Sequence, residues 1–150
     1  MGTLAGIARR EFKRAPMQLL DDAEITTESG VADDFRGRPG RRQVTVLSAR
    51  AWGEACRDVG RDLPWTLRRS NLLVEDIDLP RRAGDIIAIG TVRLRVTTET
   101  DPCPRMDEQC PGLTAALVPD WRGGVCCTVI SGGRVALGDD VRILAAEDAA

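Results

Sequence analysis

Short segments in which apolar and polar residues alternate, each bounded by a glycine-containing turn, dominate this sequence of 150 residues. The clearest such segment spans residues 91–97. Alternation with a period of two gives a strand one buried face, and Gly-Asp and Gly-Gly pairs are typical of tight turns. Further strands are predicted over residues 3–8, 23–27, 42–47, 71–74, 86–89, 125–130, 134–137 and 141–144. The pattern therefore predicts a mostly β fold.

Helical signals are few. Apolar residues recur at helical spacing between Ser48 and Gly60, which predicts a helix with Ser48 as its N-cap and Gly60 after its last turn. Shorter helices are expected over residues 64–69 and 113–118. Since closure removes the exposed edges of a sheet, we predict a closed or partly open β-barrel with short helices. We expect a single domain over residues 1–150, with a core over about residues 3–144 and a frayed tail over 145–150.

Composition excludes several classes of function. The chain has a net charge of -2, no histidine and one lysine, Lys13. Imidazole is thus absent as a base or metal ligand, and Lys13 lies in a loop unsuited to a Schiff base, so we expect no pyridoxal phosphate site in this chain. The acidic balance argues against nucleic acid as a partner, and no apolar stretch reaches the roughly 18 residues of a membrane span. The N-terminus lacks a signal-peptide pattern, which predicts a cytoplasmic location.

The basic residues are nonetheless segregated along the sequence. Two clusters stand out: Arg36, Arg38, Arg41 and Arg42, and then Arg68 and Arg69.

The five cysteines are Cys56, Cys103, Cys110, Cys126 and Cys127. An odd number without a secretory signal disfavours a disulfide framework, and the spacing does not match the common zinc templates. Cys56 on the apolar helix face and Cys127 on the face of the neighbouring valines are expected core thiols. Cys126 lies on the opposite strand face, where the sequence assigns it no role. Cys110 is either a partly buried loop residue or a thiol that closes a disulfide with Cys103 on oxidation.

Cys103 stands between Pro102 and Pro104, shortly after the strand at residues 91–97. Each proline fixes its own φ near about -65°, and Pro104 keeps Cys103 out of the α region, so the thiol is held in an extended loop. The positive charge of Arg105 favours the thiolate, which is the form that attacks electrophiles and binds metals. The alternative is a structural thiol packed in the core.

The order of motifs resembles that of the MOSC domain family, named for the C-terminal domain of molybdenum cofactor sulfurases. The matching motifs are Gly30-Val31-Ala32-Asp33-Asp34, Arg42-Gln43-Val44-Thr45, Arg69-Ser70-Asn71-Leu72, Gly84-Asp85, Gly90, Pro102-Cys103 with Arg105-Met106, Gly123-Gly124-Val125, Gly132-Gly133 and Gly138-Asp139-Asp140-Val141. They extend over essentially the whole chain. The resemblance implies a barrel of the pyruvate-kinase type and a link to molybdenum cofactor.

In that family the cysteine matching Cys103 is proposed to carry sulfur as a persulfide, or to ligate molybdenum in members that reduce N-hydroxylated compounds. A soft thiolate suits both roles. The cofactor carries a phosphate, and the resemblance implies that Arg42, Arg69, Asn71 and Arg105 hold it. The implied function is binding of molybdenum cofactor (molybdopterin), transfer of sulfur as a Cys103 persulfide, or both. A molybdenum-dependent reductase and a non-catalytic binding module are the alternatives.

The chain departs from the family pattern in three ways. Many members carry histidine where this chain has Arg36, Gly40 and Arg41. The fused sulfurases contain a pyridoxal-phosphate-dependent desulfurase domain, and the reductase members contain an N-terminal β-rich domain and electron-transfer modules; this sequence contains neither. We therefore expect a cysteine desulfurase or an electron-transfer protein to act in trans.

Overall fold

The computed structural model describes residues 1–146, which form eleven strands and three short α-helices. The strands are β1 (Gly2–Arg9), β2 (Gln18–Leu20), β3 (Asp22–Thr26), β4 (Gly30–Val31), β5 (Val44–Ser48), β6 (Leu72–Glu75), β7 (Ile86–Ile89), β8 (Val92–Glu99), β9 (Val125–Ser131), β10 (Gly133–Ala136) and β11 (Asp140–Leu144). The helices are α1 (Ala49–Val59), α2 (Arg105–Gln109) and α3 (Leu113–Leu117), with 3₁₀ helices at Trp65–Arg68 and Pro119–Trp121.

Seven of these strands close into a barrel in the order β1, β11, β7, β8, β9, β5 and β6, after which β6 pairs with β1 again. Neighbouring strands are antiparallel except for β5 and β6, which are parallel and are connected through α1. The prediction of a mostly β fold with a closed or partly open barrel is confirmed, and the barrel is closed. Strand β2 extends the wall beside β1.

A second, smaller sheet consists of β10, β3 and β4 in that order. Strand β10 follows β9 directly in the chain, but it pairs with β3 instead of folding back on β9. The sequence predicted neither β2 nor β4, because strands of three and two residues are too short to show alternation.

The barrel interior is filled by every second residue of its strands. On β5 these are Val44 and Val46, and on β9 they are Val125, Cys127 and Val129. Cys127 is fully buried, so its expected place in the core is confirmed.

A second apolar cluster lies outside the barrel, where the outward-facing Leu47 of β5 packs with side chains of all three α-helices. Cys56 of α1 belongs to this cluster, as expected. Cys110, at the end of α2, is also buried there and packs beside Leu113 of α3. The helices are thus held against one side of the barrel wall.

The expected helix boundaries agree with α1. Ser48 Oγ accepts a hydrogen bond from the backbone N–H of Ala51 at 3.2 Å, and Gly60 follows the last turn with a φ of 71°. The segments predicted as short helices contain the 3₁₀ helix Trp65–Arg68 and α3. Helix α2 was not predicted, since only Met106 among its five residues is buried.

Of the tail that was predicted to fray, residues 147–150 lie outside the described part of the chain. The backbone N–H of Ala146 donates to the Asp85 carboxylate at 3.0 Å. No helix within the described residues has both the length and the apolar character that crossing a membrane requires.

Candidate functional site

A cavity of about 390 Å³ lies against the outer surface of the barrel wall. Thr45 of β5 and Cys126 of β9 form part of its lining, and they are paired across the two strands. Both residues alternate with side chains that point into the barrel, so they face outward. The segment between β8 and α2, which contains Cys103, supplies another part of the cavity wall.

The cavity is strongly basic. Its lining contains two carboxylates, Asp101 and Glu108, against seven arginines. These arginines are Arg10, Arg14, Arg36, Arg42, Arg68, Arg69 and Arg105. Within residues 1–146, none of the seven forms an ion pair with a carboxylate. Such an excess of unpaired guanidinium groups suits the binding of an anion.

Several of these arginines repel one another. Burial lowers the pKa of Arg10, and the charges of Arg69, Arg36 and Arg105 act in the same direction, whereas Asp34 opposes them. Burial also lowers the pKa of Arg69, again with the help of Arg105. A bound anion would relieve this repulsion.

Arg69 carries an unsatisfied hydrogen-bond donor. Its backbone adopts a left-handed conformation, with a φ of 63°, directly after the 3₁₀ helix Trp65–Arg68. One terminal nitrogen donates to the carbonyl oxygen of Ala15, but Nε is buried and has no hydrogen-bond partner within the described residues. Because a buried donor without a partner costs free energy, this nitrogen is an uncompensated polar group in a residue that lines the cavity.

Arg68 anchors the loop that carries Cys103. Its side chain is buried, and Nε donates to the Gly123 carbonyl oxygen at 3.1 Å. Nη2 donates to the carbonyl oxygens of Thr100 at 2.7 Å and Asp101 at 3.4 Å. The guanidinium therefore ties the end of β8 to the start of β9.

The charge of Arg68 also acts on the two cavity thiols. Burial lowers the pKa of Arg68, and negative charge at Cys103 and Cys126 acts in the opposite direction. The guanidinium of Arg68 thus lies within electrostatic range of both cavity cysteines.

Cys103 is half-buried and belongs to neither apolar cluster, so the structure places it in the cavity wall and not in the core. Its carbonyl oxygen accepts hydrogen bonds from the backbone N–H of Met106 and from the hydroxyl of Thr114, both at 2.9 Å. These bonds fix the loop to α2 and α3 while leaving the sulfur on the cavity side.

Cys126 is the second thiol of the cavity, although the sequence assigned it no role. It is buried, and its sulfur lies 3.2 Å from the hydroxyl of Thr100. The neighbouring Cys127 faces the barrel interior, where burial raises the pKa of its thiol. The adjacent cysteines are thus in different environments, and all five cysteines of the chain are free.

The loop over residues 32–40 brings Arg36 to the cavity. Asp34 accepts hydrogen bonds from the backbone N–H groups of Arg10 at 3.0 Å and Arg36 at 3.2 Å. Gln43, which is fully buried, donates to the Gly37 carbonyl oxygen at 3.0 Å and accepts from a backbone N–H of β9 at 2.9 Å. These contacts hold the loop against the barrel.

Of the predicted site residues, the structure brings Cys103, Arg42, Arg69 and Arg105 together in the cavity. Asn71 is not in the lining: it is buried below, where its side chain bonds to the backbone of the barrel.

The sequence did not assign four of the cavity arginines, namely Arg10, Arg14, Arg36 and Arg68. Of these four, only Arg36 and Arg68 belong to the two basic clusters of the sequence, so only they could have been identified from it.

The side chains that could ligate a metal ion are not clustered. Within residues 1–146, no three His, Cys, Asp or Glu side chains are grouped so that they could hold a metal ion. A metal at Cys103 would therefore need ligands of its own.

The family model described as the MOSC domain matches residues 28–142 of the chain. The matched span includes Cys103, Arg42, Arg69 and Arg105. A search of the curated proteins finds no match.

Solved structures share the fold at low sequence identity. YuaD from Bacillus subtilis superposes with a TM-score of 0.81 and 19% identity, over 97% of each chain. YiiM from Geobacillus stearothermophilus has a TM-score of 0.75 and 14% identity, over 96% of this chain and 75% of that one. YiiM from Escherichia coli has a TM-score of 0.70 and 14% identity, over 99% of this chain and 75% of that one.

Proposed function

Because the chain belongs to the MOSC domain family, we propose that it binds molybdenum cofactor in the arginine-lined cavity and carries sulfur on Cys103 for transfer. One observation carries the proposal: the half-buried thiol of Cys103 shares a cavity with seven arginines that have no ion-pair partner within the described residues. An anion-binding site and a nucleophile thus lie in the same place.

The residues of the cavity fit the phosphate-bearing cofactor. The cavity volume of about 390 Å³ is within the range of small-molecule sites. Arg69, Arg105 and Arg42 line the cavity and supply guanidinium groups for the phosphate oxygens. When bound, the cofactor supplies molybdenum that is already held by its own dithiolene sulfurs, which leaves a coordination position for a thiolate.

Cys103 supplies the chemistry of sulfur transfer. Its thiolate attacks the outer sulfur of a persulfide on a donor protein, so that a new sulfur–sulfur bond forms on Cys103 and the donor leaves as a thiolate. No electrons are gained or lost in the exchange, because the sulfane sulfur only changes its partner. Arg68, whose charge interacts with Cys103, lines the same cavity as the reacting sulfur.

The sulfur donor acts in trans in this proposal. We assign that role to a pyridoxal-phosphate-dependent cysteine desulfurase, because the only lysine of this chain, Lys13, is exposed outside the cavity lining. In the alternative reductase, Cys103 would instead ligate molybdenum and an electron-transfer protein would replace the desulfurase.

The proposal is tested by measuring the pterin and molybdenum that copurify with the protein from a host that makes the cofactor. Wild type should contain pterin, and R69Q and R105Q should each retain at most about a tenth of it, which corresponds to the loss of one charge-assisted hydrogen bond. The matched control is R61Q, because Arg61 is exposed and outside the cavity lining.

Pterin at wild-type level in R69Q and R105Q, or no pterin in wild type, would contradict the proposal. Stoichiometric molybdenum that C103A loses would favour the reductase over the sulfur carrier.

A further inference from the structure

A concave surface lies beside the cavity that contains Cys103. We call it the basic face, and define it by Lys13, Arg36, Arg38 and Arg42, which line it together. Arg36 and Arg42 also line the cavity, whereas Lys13 and Arg38 do not. All four side chains belong to exposed residues. The function proposed for the cavity assigns no role to Lys13 or Arg38.

The basic face has a charge opposite to that of the chain as a whole. No carboxylate lines it, although the chain has a net charge of -2, so the rest of the chain is more acidic still. Within residues 1–146, none of the four cations forms an ion pair. Of the two carboxylates in the adjoining loop, Asp33 pairs with Arg9 and Asp34 accepts hydrogen bonds from backbone N–H groups. The four positive charges are thus available to a partner.

The two loops that form the basic face are held together. The backbone N–H of Phe35 donates to the carbonyl oxygen of Arg10 at 2.7 Å, and the backbone N–H of Arg10 donates to the Asp34 carboxylate at 3.0 Å. The guanidinium of Arg10 lies 5.8 Å from the centre of the Phe35 ring, and Arg69 donates to the carbonyl oxygen of Ala15. Because the backbone is already fixed, binding at this face requires little further ordering of the loops.

The surroundings of the basic face favour a protein over a small anion. Phe12, next to Lys13, is 60% exposed, and exposed aromatic residues are enriched in protein interfaces. Charge complementarity selects a partner surface that is rich in Asp and Glu. Since the rest of the chain is acidic, such a partner is repelled elsewhere and is steered to this face.

We infer that the basic face docks an acidic surface of the protein that donates sulfur to Cys103. Carboxylates of the partner pair with Lys13 and Arg38, and this contact brings the persulfide of the partner to the cavity. The inference rests on the proposed function in one respect: it specifies the surface by which the sulfur donor is recognised in trans. The docking step is non-covalent.

Two synthetic peptides with the same cysteine persulfide test the inference. In one peptide the cysteine is flanked on both sides by Asp and Glu, and in the other by Asn and Gln. At low ionic strength, Cys103 should gain a sulfur atom at least about tenfold faster from the acidic peptide than from the neutral one. The advantage should disappear at high salt, because salt screens the attraction between exposed charges.

Charge reversal identifies the face. K13E/R38E should slow transfer from the acidic peptide at least about tenfold and leave transfer from the neutral peptide unchanged, because both residues lie outside the cavity lining. The control is R61E/R142E, which changes the net charge by the same amount at two exposed residues outside both linings. It should accept sulfur from both peptides as wild type does.

The acidic peptide with serine in place of cysteine measures docking without sulfur chemistry. By fluorescence anisotropy, it should bind wild type and R61E/R142E equally, and K13E/R38E at least about tenfold more weakly. Equal binding of the acidic and neutral peptides, or acidic-peptide binding that K13E/R38E leaves unchanged, would overturn the inference. Tighter binding of a single-stranded oligonucleotide of equal charge would also overturn it, by assigning the face to nucleic acid.

The two measurements separate this inference from the function on which it rests. Transfer from both persulfide peptides at the same rate would overturn the docking inference and leave the sulfur carrier in place. Binding of the serine peptide, without a gain in mass at Cys103 from either persulfide peptide, would contradict sulfur transfer. The face would then dock an acidic partner with another activity.

Discussion

Asn71 and Thr45 are joined by reciprocal hydrogen bonds beneath the cavity. The backbone N–H of Thr45 donates to Asn71 Oδ1 at 3.0 Å, and the backbone N–H of Asn71 donates to Thr45 Oγ1 at 3.0 Å. Asn71 Nδ2 also donates to the carbonyl oxygen of Ala8 at 3.1 Å. One buried side chain thus connects β1, β5 and the start of β6, and it fixes the threonine that lines the cavity.

Replacing Asn71 by alanine removes these side-chain partners from buried backbone groups. We expect N71A to lower the free energy of unfolding by about 2 to 3 kcal/mol, which is the cost of leaving such groups unsatisfied. Urea unfolding followed by circular dichroism measures the change. T45S, which retains the hydroxyl, should lose less than about 1 kcal/mol. A stability of N71A equal to that of wild type would show that Asn71 is not a structural connector.

The environments of the five cysteines predict selective alkylation. Cys103 is half-buried, and the other four are buried. Burial also raises the pKa of Cys127, which makes its thiolate scarce. Brief treatment of the native protein with iodoacetamide should therefore add one adduct, at Cys103, whereas the unfolded protein should add five. Peptide mapping identifies the site, and native C103A should remain unmodified. Rapid labelling of any other cysteine in native C103A would contradict this assignment.

The ionisation of Glu99 should make the stability of the protein depend on pH. Burial raises its pKa above the ordinary value of 4.5, the charge of Asp101 and a hydrogen bond to it act in the same direction, and Arg68 opposes them. The folded protein then binds more protons than the unfolded chain just above pH 4.5, so stability falls as the pH rises through this interval.

E99Q removes this cost of ionisation. Its melting temperature should exceed that of wild type at pH 7, and the difference should shrink towards zero near about pH 3.5, where both states of the wild type are protonated. E28Q serves as the control, because Glu28 is an exposed glutamate outside the site. A difference between E99Q and wild type that is independent of pH would contradict the assignment.

Substitution of Gly37 should show whether the loop over residues 32–40 supports the stability of the protein and the position of Arg36. A Cβ at Gly37 would lie 1.7 Å from the backbone oxygen of Ser29, so G37A forces the backbone to move. We expect a loss of about 2 kcal/mol in stability, together with weaker phosphate binding because Arg36 shifts with the loop.

The same substitution at Gly53 should have the opposite effect on stability. Gly53 lies within α1, where the nearest atom to an added Cβ is 3.8 Å away, and alanine favours a helix by about 0.5 to 1 kcal/mol. Urea unfolding of G37A and G53A distinguishes the two. A G37A protein as stable as wild type would show that the loop accommodates a side chain.

The sequence predicted the barrel because alternation and glycine turns are local signals that tertiary packing reinforces. It also drew attention to Cys103, since two flanking prolines constrain the backbone whatever surrounds it, and the structure places this residue in the cavity wall. Asn71 was assigned to the cofactor by resemblance, whereas its position in the structure depends on a pairing between distant strands. Sequence pattern does not reveal that its amide faces the backbone of Thr45 and Ala8.

The remaining cavity residues could not be identified in this way either. Arg10 reaches the cavity because β1 ends there, and Cys126 reaches it because β9 exposes that face. The strand pattern did predict that Cys126 and Cys127 point in opposite directions, but it did not indicate what the outward face contacts. Only the closed order of the strands brings these residues beside Cys103.

Whether Cys103 accepts sulfur can be read from the intact mass of the protein after incubation with a cysteine desulfurase and cysteine. Wild type should gain about 32 Da, the mass of one sulfur atom, and lose it on treatment with cyanide. C103A should gain nothing, whereas C56A, which removes a thiol from the outer apolar cluster, should gain the same mass as wild type. The same gain in C103A, or none in wild type, would show that Cys103 is not the sulfur acceptor.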